Sequence, residues 1–178
     1  MTTQAKTMTN PNTAKTAKTD MSTTTNAAAP TVRALSPDDL DAVITIDAAN
    51  AGRARRGFFV TRLAAVKRDP TSFLALGIED GGALAGFVIA RIFRGEFGTD
   101  EPVASIDAIG VSVAKQGRGL GSALMAGFED AMLKRGIVEV MSQDLWSGAP
   151  LMRFFAANGF ELAPRWVLER PLDDAIDF

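Results

Sequence analysis

Hydrophobic and polar positions follow two different periods along residues 31–170, which predicts a chain of mixed helices and strands. Apolar side chains recur at every second position in some segments and at every third or fourth position in others. The predicted strands are 32–35, 73–78, 84–93, 104–113, 137–141 and 160–169, and the predicted helices are 37–50, 53–68, 120–135 and 150–158. We therefore expect an α/β fold built on a mixed sheet.

Local sequence signals place the ends of these elements. Ser36 and Pro37 precede two acids, which is typical of a helix start with Ser36 as N-cap. The Glu79-Asp-Gly-Gly82 segment predicts a hairpin turn between two strands. Gly136 predicts the end of the third helix. Segment 137–141 is largely apolar, so we expect a buried strand there.

The first thirty residues differ in composition from the rest of the chain. Residues 1–30 are dominated by Thr, Ala, Asn and Lys and contain no aromatic residue. Such a stretch cannot bury enough apolar surface to offset its ordering entropy, so we expect a disordered tail before one domain at 31–178. No apolar run is typical of a signal peptide or of a membrane span. These features favour a cytoplasmic protein with no membrane partner.

Composition excludes several chemistries. The chain has no Cys, no His and no Tyr, and its formal net charge is −2. Disulfides, thiolate metal sites, a cysteine nucleophile and a histidine base are therefore impossible. We expect no metal site, and the absence of a strongly basic balance argues against a nucleic-acid partner.

A glycine-rich turn follows the predicted strand 104–113. Gly117, Gly119 and Gly121 lie at every second position, and an amphipathic helix begins at Leu120. Bare backbone at a helix N-terminus can direct several N–H groups at one anion. A pyrophosphate would suit such a turn, but the glycines alone favour a tight turn that binds no ligand.

Two common pyrophosphate motifs fit this turn poorly. A nucleoside triphosphatase loop has Lys and then Ser or Thr after its last glycine, whereas Leu120 and Ser122 flank Gly121 here. A dinucleotide fold has Gly-x-Gly-x-x-Gly in an opening βαβ unit, but several strands precede this loop. Both classes of nucleotide-binding domain are weak alternatives.

Segment 106–113, followed by Gln116-Gly-Arg-Gly-Leu-Gly121, resembles motif A of the GNAT superfamily of N-acetyltransferases. That signature is Arg/Gln-x-x-Gly-x-Gly/Ala after a strand. Segment 153–160 resembles the late helix of the family, which usually reads Tyr-x-x-x-Gly-Phe. The resemblance covers roughly 31–171 and is closest in pattern to the ribosomal-protein-alanine acetyltransferases.

The resemblance implies a fold, an activity and partners. The GNAT fold has a central twisted, mostly antiparallel sheet flanked by helices. Acetyl-CoA would be the cosubstrate, and a primary amine of a small molecule or protein would attack the thioester directly. The alternative is a CoA-binding regulatory or sensor module with weak or no catalysis. Many relatives dimerise through their closing strands, and the apolar segment 160–168 permits a homodimer.

The resemblance also implies the cofactor-binding residues. Val111 and Val113 would pair with the pantetheine arm, and Gly110 or Val111 would direct a backbone N–H at the thioester oxygen. Gly110 in mid-strand marks either a bulge or room for a neighbouring side chain. The full candidate set is Ile109, Gly110, Val111, Val113, Gln116, Gly117, Arg118, Gly119, Leu120, Gly121, Ser122 and Phe155.

The base and the acid are harder to assign. Without histidine, the amine proton is taken by a carboxylate, by a water chain or by no local group at all. Asp107 is the leading candidate and Glu139 the second, because both match positions where relatives carry acids. Glu96, Asp100 and Glu101 could attract a cationic amine. For each acid, a solvated surface residue is the alternative.

Phe155 stands where relatives have the tyrosine that protonates the leaving thiolate. Three interpretations remain open: an unaided thiolate, a proton from water or from Ser142 or Ser147, and binding without efficient catalysis. Arg53, Arg55 and Arg56 could grip an anionic group of the acceptor or of CoA, or could form a solvated helix face. The acceptor itself is left open.

Overall fold

The structure is a computed structural model that describes residues 29–94, 100–143, 149–165, 168 and 170. Residues 1–28 of the predicted tail at 1–30, together with Glu96 and Ser147, lie outside the described residues. The strands are β1 (Thr31–Ala34), β2 (Phe73–Asp80), β3 (Ala83–Phe93), β4 (Val103–Val111) and β5 (Glu139–Ser142). The helices are α1 (Leu40–Ala51), α2 (Arg56–Arg68), α3 (Leu120–Leu133) and α4 (Ala149–Ala157), with short 3-10 turns at Pro37–Asp39 and Val113–Lys115.

The five strands form one sheet in the order β1-β2-β3-β4-β5. The first four are antiparallel neighbours, and β5 alone is parallel to its neighbour β4. The predicted fold class is therefore confirmed: a mixed α/β structure with a mostly antiparallel sheet flanked by helices.

The β2–β3 hairpin forms where the sequence predicts it. Gly81 and Gly82 both have positive φ, 66° and 77°, which a two-residue type I′ turn requires. α2 begins three residues later than predicted, at Arg56, and the predicted start before α1 is confirmed as a 3-10 turn at Pro37–Asp39.

Each face of the sheet has its own apolar core. One core packs α3 and Phe155 of α4 against the sheet, and Leu124, Phe128 and Met132 lie at its centre. The other packs α1 and α2 against the opposite face, around Phe59 and Phe87. The rings of these two phenylalanines meet edge to face at 5.5 Å. The sheet is thus covered by helices on both sides.

Three predicted elements differ in the structure. β5 is not fully buried: it has only four residues, of which Glu139 is exposed and the other three are half-buried, and Val138 just before it is 78% exposed. β4 ends at Val111, and Val113 lies in the 3-10 turn beyond it. Residues 160–165 do not form the predicted closing strand, since Pro164 has no N–H to donate and Leu162 is exposed. Residues 166, 167 and 169 of that segment lie outside the described residues.

No helix in the described residues is both long and apolar enough to cross a membrane.

Candidate active site

β4 and β5 part in the middle of the sheet. Their parallel pairing runs from Val103–Glu139 to Ile106–Ser142 and stops there, whereas β4 continues to Val111. Among the described residues, no strand pairs with this last part of β4 on the β5 side. A cavity of about 160 Å³ lies at the parting point. Its lining residues are Arg55, Ile106, Asp107, Ala108, Ile109, Ser142, Gln143, Leu151 and Phe155.

The pairing of β4 with β3 shows which backbone groups face this open edge. The Ser112 N–H donates to the Ala85 carbonyl oxygen at 2.8 Å, so the backbone N–H of Ser112 points to β3. Hydrogen-bonded and non-hydrogen-bonded pairs alternate in an antiparallel ladder, so Gly110, paired with Phe87, also faces β3. The N–H groups of Ile109 and Val111 therefore point to the open edge. Of the two predicted thioester donors, this geometry favours Val111 over Gly110.

β4 contains a bulge, but it is not at Gly110. The register with β3 shifts between Ile89 and Ala90, which leaves Asp107 as the extra residue. Gly110 instead makes room for its neighbours, since a Cβ there would lie 3.1 Å from a carbon of the Phe87 ring. The expected alternative for Gly110, space for an adjacent side chain, is therefore the one that the structure supports.

A side-chain amide network fixes the end of β4. The Gln116 Nε2 donates to the Asn50 Oδ1 at 2.9 Å and to the Val111 carbonyl oxygen at 3.1 Å. The Asn50 Nδ2 donates to the same Val111 oxygen at 3.1 Å and to the Ile46 oxygen at 2.7 Å. The Gln116 side chain thus joins β4 to α1 instead of pointing freely at a ligand. Sequence reasoning missed Asn50, because its contact with Val111 spans 61 residues.

The glycine-rich loop presents backbone donors at the start of α3. Gly117 and Gly119 have φ of 73° and 78°, and Gly119 is the N-cap of the helix. The Ala123 N–H donates to the Gly119 oxygen at 3.0 Å and opens the helical hydrogen-bond series. The N–H groups of Leu120, Gly121 and Ser122 come before it, in the turn where helices lack internal acceptors. These donors and the helix dipole make an anion-binding position.

Arg118 is tied to the β2–β3 hairpin. Its Nη1 lies 3.0 Å from Asp80 Oδ2, and Lys115 Nζ lies 3.2 Å from the same oxygen. Hydrogen bonding to Lys115 and the charges of Arg118 and Lys115 lower the pKa of Asp80. Arg118, one of the predicted cofactor-binding residues, is therefore paired with a carboxylate, and sequence reasoning missed Asp80 because it lies 38 residues from Arg118.

α4 closes the site from one side. A Cβ on Gly121 would lie 2.7 Å from the Phe154 ring, so this glycine allows α3 and α4 to approach. Phe155 is buried and lines the cavity, and its ring centre lies 4.8 Å from that of Phe160, with the two rings tilted by 49°. Phe155 thus stands at the cavity with no group that can give a proton, and Ser142 provides a hydroxyl there.

Asp107 lies in the cavity wall between two arginines. Its side chain is 6% exposed, with Arg91 Nε 2.8 Å from Oδ1 and Arg62 Nε 2.7 Å from Oδ2. The Arg91 contact is a hydrogen bond. The Arg62 contact is an ion pair without hydrogen-bond alignment, and neither of its two atoms has another hydrogen-bond partner in the described part of the chain.

The other charged candidates lie apart from Asp107 or are already paired. Glu139 stands at the opposite end of β5, facing Val103 in register, and it pairs with Arg165 at 2.9 Å. The structure therefore does not bring Glu139 to the cavity. Arg55 reaches the cavity, but Asp47 holds its guanidinium with contacts of 2.9 Å and 2.5 Å. Arg56 pairs with Asp41 at the surface.

In the described residues no group of three or more His, Cys, Asp or Glu side chains could hold a metal ion.

The sheet thus opens beside a strand that leads into a loop with free backbone donors at the start of a helix, in a mixed α/β domain. The family model of the Acetyltransferase (GNAT) family matches residues 41–160, and the chain belongs to this family. The expected resemblance is thus confirmed. No curated protein matches the sequence.

Solved structures share the fold at low identity. A transcriptional regulator from Bacillus halodurans C-125 has a TM-score of 0.69 at 18% identity, over 80% of this chain and 99% of that chain. AAC(6')-Iy, in complex with the bisubstrate analog CoA-S-monomethyl-acetylneamine, has a TM-score of 0.68 at 18% identity, over 81% of this chain and 99% of that chain. The ribosomal-protein-S18-alanine N-acetyltransferase from Escherichia coli has a TM-score of 0.63 at 22% identity, over 76% of this chain and 79% of that chain.

Proposed function

We propose that this protein is an acetyl-CoA-dependent N-acetyltransferase that transfers the acetyl group to a primary amine. The observation that carries the proposal is the open edge of β4. Backbone donors of Ile109 and Val111 face that edge, and the strand leads directly to the glycine-rich loop at the start of α3. An extended ligand with a pyrophosphate needs both features, in this order.

The residues present fit acetyl-CoA. The open edge of β4 can accept a pantetheine arm as an added strand, through the N–H groups of Ile109 and Val111. The N–H groups from Gly117 to Ser122 would hold the pyrophosphate, aided by the dipole of α3. Gln116 would act indirectly, by holding the Val111 end of the strand. Val113, in its 3-10 turn, would contact the ligand only beyond the strand.

The catalytic contribution of the chain would be positioning and polarisation. Acetyl-CoA, when bound, supplies an activated acetyl group as a thioester. The Val111 N–H would stabilise the negative charge that develops on the carbonyl oxygen, and loss of one such donor typically costs about 10²–10³-fold in rate. The cavity at the parting of β4 and β5 would hold the amine near this donor. Direct attack by the amine needs no nucleophile from the protein.

The thiolate would leave without a tyrosine. A thiol with a pKa near 8.5 is a fair leaving group at neutral pH, so protonation by water or by the Ser142 hydroxyl at the cavity is sufficient. Ser147, the other candidate hydroxyl, lies outside the described residues. Because Phe155 stands at the cavity, a CoA-binding sensor without efficient catalysis is the second candidate function. Release of free thiol in the presence of amines separates the two.

The acceptor is a primary amine of a small molecule or a protein. Among the neighbouring structures, AAC(6')-Iy is in complex with the bisubstrate analog CoA-S-monomethyl-acetylneamine, and another is named as a ribosomal-protein-S18-alanine N-acetyltransferase. We further propose that residues 1–30 form a disordered tail and that the protein acts in the cytoplasm, without nucleic acid or a metal. A homodimer would be compatible with this function.

Ser122 provides the sharpest test of the cofactor site. It is exposed at the third position of α3, where an acid favours the helix, so Ser122→Asp should fold normally. The new carboxylate would repel a pyrophosphate at the loop, and we expect acetyl-CoA affinity by calorimetry to fall about tenfold or more. Ser122→Asn, of equal size and no charge, is the matched control and should bind within about threefold of the wild type. Absence of acetyl-CoA binding by the wild type, or equal binding by both variants, contradicts the proposal.

A further inference from the structure

We propose that Asp107 is a positioning residue that holds the bulge of β4, and through it selects which backbone N–H groups face the open edge. The proposal rests on the proposed function for its catalytic meaning. It assigns to Asp107 a role different from the base expected from sequence.

The bulge reverses the alternation of β4. Before the bulge, the Ile92 N–H points to the β2 side, where it donates to the Ser72 oxygen at 2.8 Å. Ile92 and its partner Ala104 are therefore a non-hydrogen-bonded pair between β3 and β4. Before the bulge, the backbone N–H groups of odd-numbered residues of β4 therefore point to β3. After it, Ser112 faces β3, and so do the even-numbered residues. Without the extra residue, Gly110 rather than Val111 would face the open edge.

The side chains show the same reversal. Ile106 packs in the core beneath α3, whereas Ala108, two positions later, packs in the core beneath α1 and α2. After the bulge, Ile109 and Val111 pack against the α3 core. A one-residue change of register exchanges the two faces of a strand, which is what these contacts record. The bulge thus determines both the packing and the backbone donors of the second half of β4.

Asp107 fixes the bulge from two neighbouring elements. Arg91 belongs to β3 and is paired with Ser105 just before the bulge, and its Nε donates to Asp107 Oδ1 at 2.8 Å. Arg62 belongs to α2 and reaches Oδ2 at 2.7 Å, with its guanidinium 5.1 Å from the centre of the Phe58 ring. A buried carboxylate is held strongly to such partners, because separating it from them leaves uncompensated charge. The carboxylate therefore joins β4 to both β3 and α2.

The same contacts occupy both oxygens of the Asp107 carboxylate. Each carboxylate oxygen already lies within 2.8 Å of a guanidinium nitrogen, and the side chain is 6% exposed. An acceptor amine would have to displace a guanidinium to reach either oxygen. These contacts favour a positioning role for Asp107 over direct contact with the amine.

Amide hydrogen exchange by NMR on the full chain without ligand tests the bulge directly. In the wild type we expect slow exchange at Ala108, Gly110 and Ser112, and fast exchange at Ile109 and Val111. Asp107→Asn and Arg91→Met should each accelerate exchange at Gly110 at least tenfold and raise the Kd of acetyl-CoA at least tenfold. Lys134→Met, which removes an exposed ion pair with Asp130 at the end of α3, is the control and should change neither quantity.

A base would give a different result. Loss of a base leaves the exchange pattern and the acetyl-CoA Kd within twofold of wild type, because neither depends on the amine proton, and that result would overturn the proposal. If Asp107→Asn does not fold, Arg91→Met decides, since a base role predicts no effect of Arg91 on either quantity. If the wild type does not bind acetyl-CoA, the proposed function fails, but the exchange pattern still supports or contradicts the role of Asp107 in the bulge.

Discussion

The glycines around the loop serve two separate physical purposes. Gly119 has a φ of 78° and open space where a Cβ would be, so only its backbone conformation requires glycine. Gly121 has ordinary backbone, but a Cβ there would press on the Phe154 ring at 2.7 Å. One glycine shapes the anion-binding turn and the other lets two helices approach, although the sequence motif presents them as equivalent.

Gly119→Ala should destabilise the fold through backbone strain alone. A left-handed conformation costs an L-residue roughly 1–2 kcal/mol, so we expect a loss of about that size in the free energy of unfolding. Gly57→Ala in α2 is the matched control, because that site is equally open and has helical backbone. There alanine should stabilise by roughly 0.5–1 kcal/mol. Denaturant unfolding of both variants measures the change in the free energy of unfolding. A change of the same sign in both variants would rule out backbone strain as the cause.

Single residues were predictable where the chemistry is local. The spacing of Gly117 and Gly119 predicts a tight turn, and both residues have positive φ in the structure. Asn50 and Asp80 were not predictable, because they act on Val111 and Arg118, which are distant in the chain. Nothing near Asn50 or Asp80 in the sequence marks their partners. Only the assembled sheet brings them to the loop.

At the scale of elements, a charged cluster joins β1 to the start of α1. Arg33 Nη1 lies 2.8 Å from Asp39 Oδ2, and Arg33 Nε lies 2.8 Å from Glu79 Oε1 of β2. Asp39 also accepts the Ser36 N–H at 2.7 Å. Hydrogen bonding to Arg33, followed by the bonds from Ser36, lowers the pKa of Asp39 from 3.8 to about 2. The carboxylate therefore stabilises the fold only while it is ionised.

The stability from Asp39 should disappear in acid. Because its pKa is lower in the folded state, its contribution is complete above the unfolded value of 3.8 and is lost as pH falls through about 2. We expect the difference in unfolding free energy between the wild type and Asp39→Asn to be constant from about pH 5 to 7 and to shrink below about pH 4. Asp38→Asn, at the exposed preceding position, is the control. A difference that persists unchanged to pH 2 would contradict the assignment.

Most elements could be predicted from periodicity, but the critical detail of β4 could not. Residues 104–113 have a pattern typical of one continuous strand, and the bulge at Asp107 arises only from pairing with β3. Burial of β5 was overestimated because apolar composition alone does not specify a neighbour on each side. The closing strand was predicted from the apolar residues of 160–169, and in the structure residues 160–165 form no ladder.

At the scale of the whole molecule, the site is assembled from distant parts. The cavity is lined by Arg55 between α1 and α2, by β4 and the end of β5, and by Leu151 and Phe155 of α4. The glycine-rich loop connects β4 to α3, and the hydrogen bonds of Asn50 and Gln116 link this loop and the end of β4 to α1. Because no element contains the site alone, the function depends on the register of the complete sheet.

The central claim is that acetyl-CoA lies along the open edge of β4. The most direct measurement is amide hydrogen exchange at Ile109 and Val111 of the full chain, with and without saturating acetyl-CoA. We expect fast exchange at both amides in the free protein and at least tenfold protection of Val111 on binding, with little change at Gly110, which is already bonded to β3. Unchanged exchange at both Ile109 and Val111 under saturating acetyl-CoA would show that the ligand does not bind along β4.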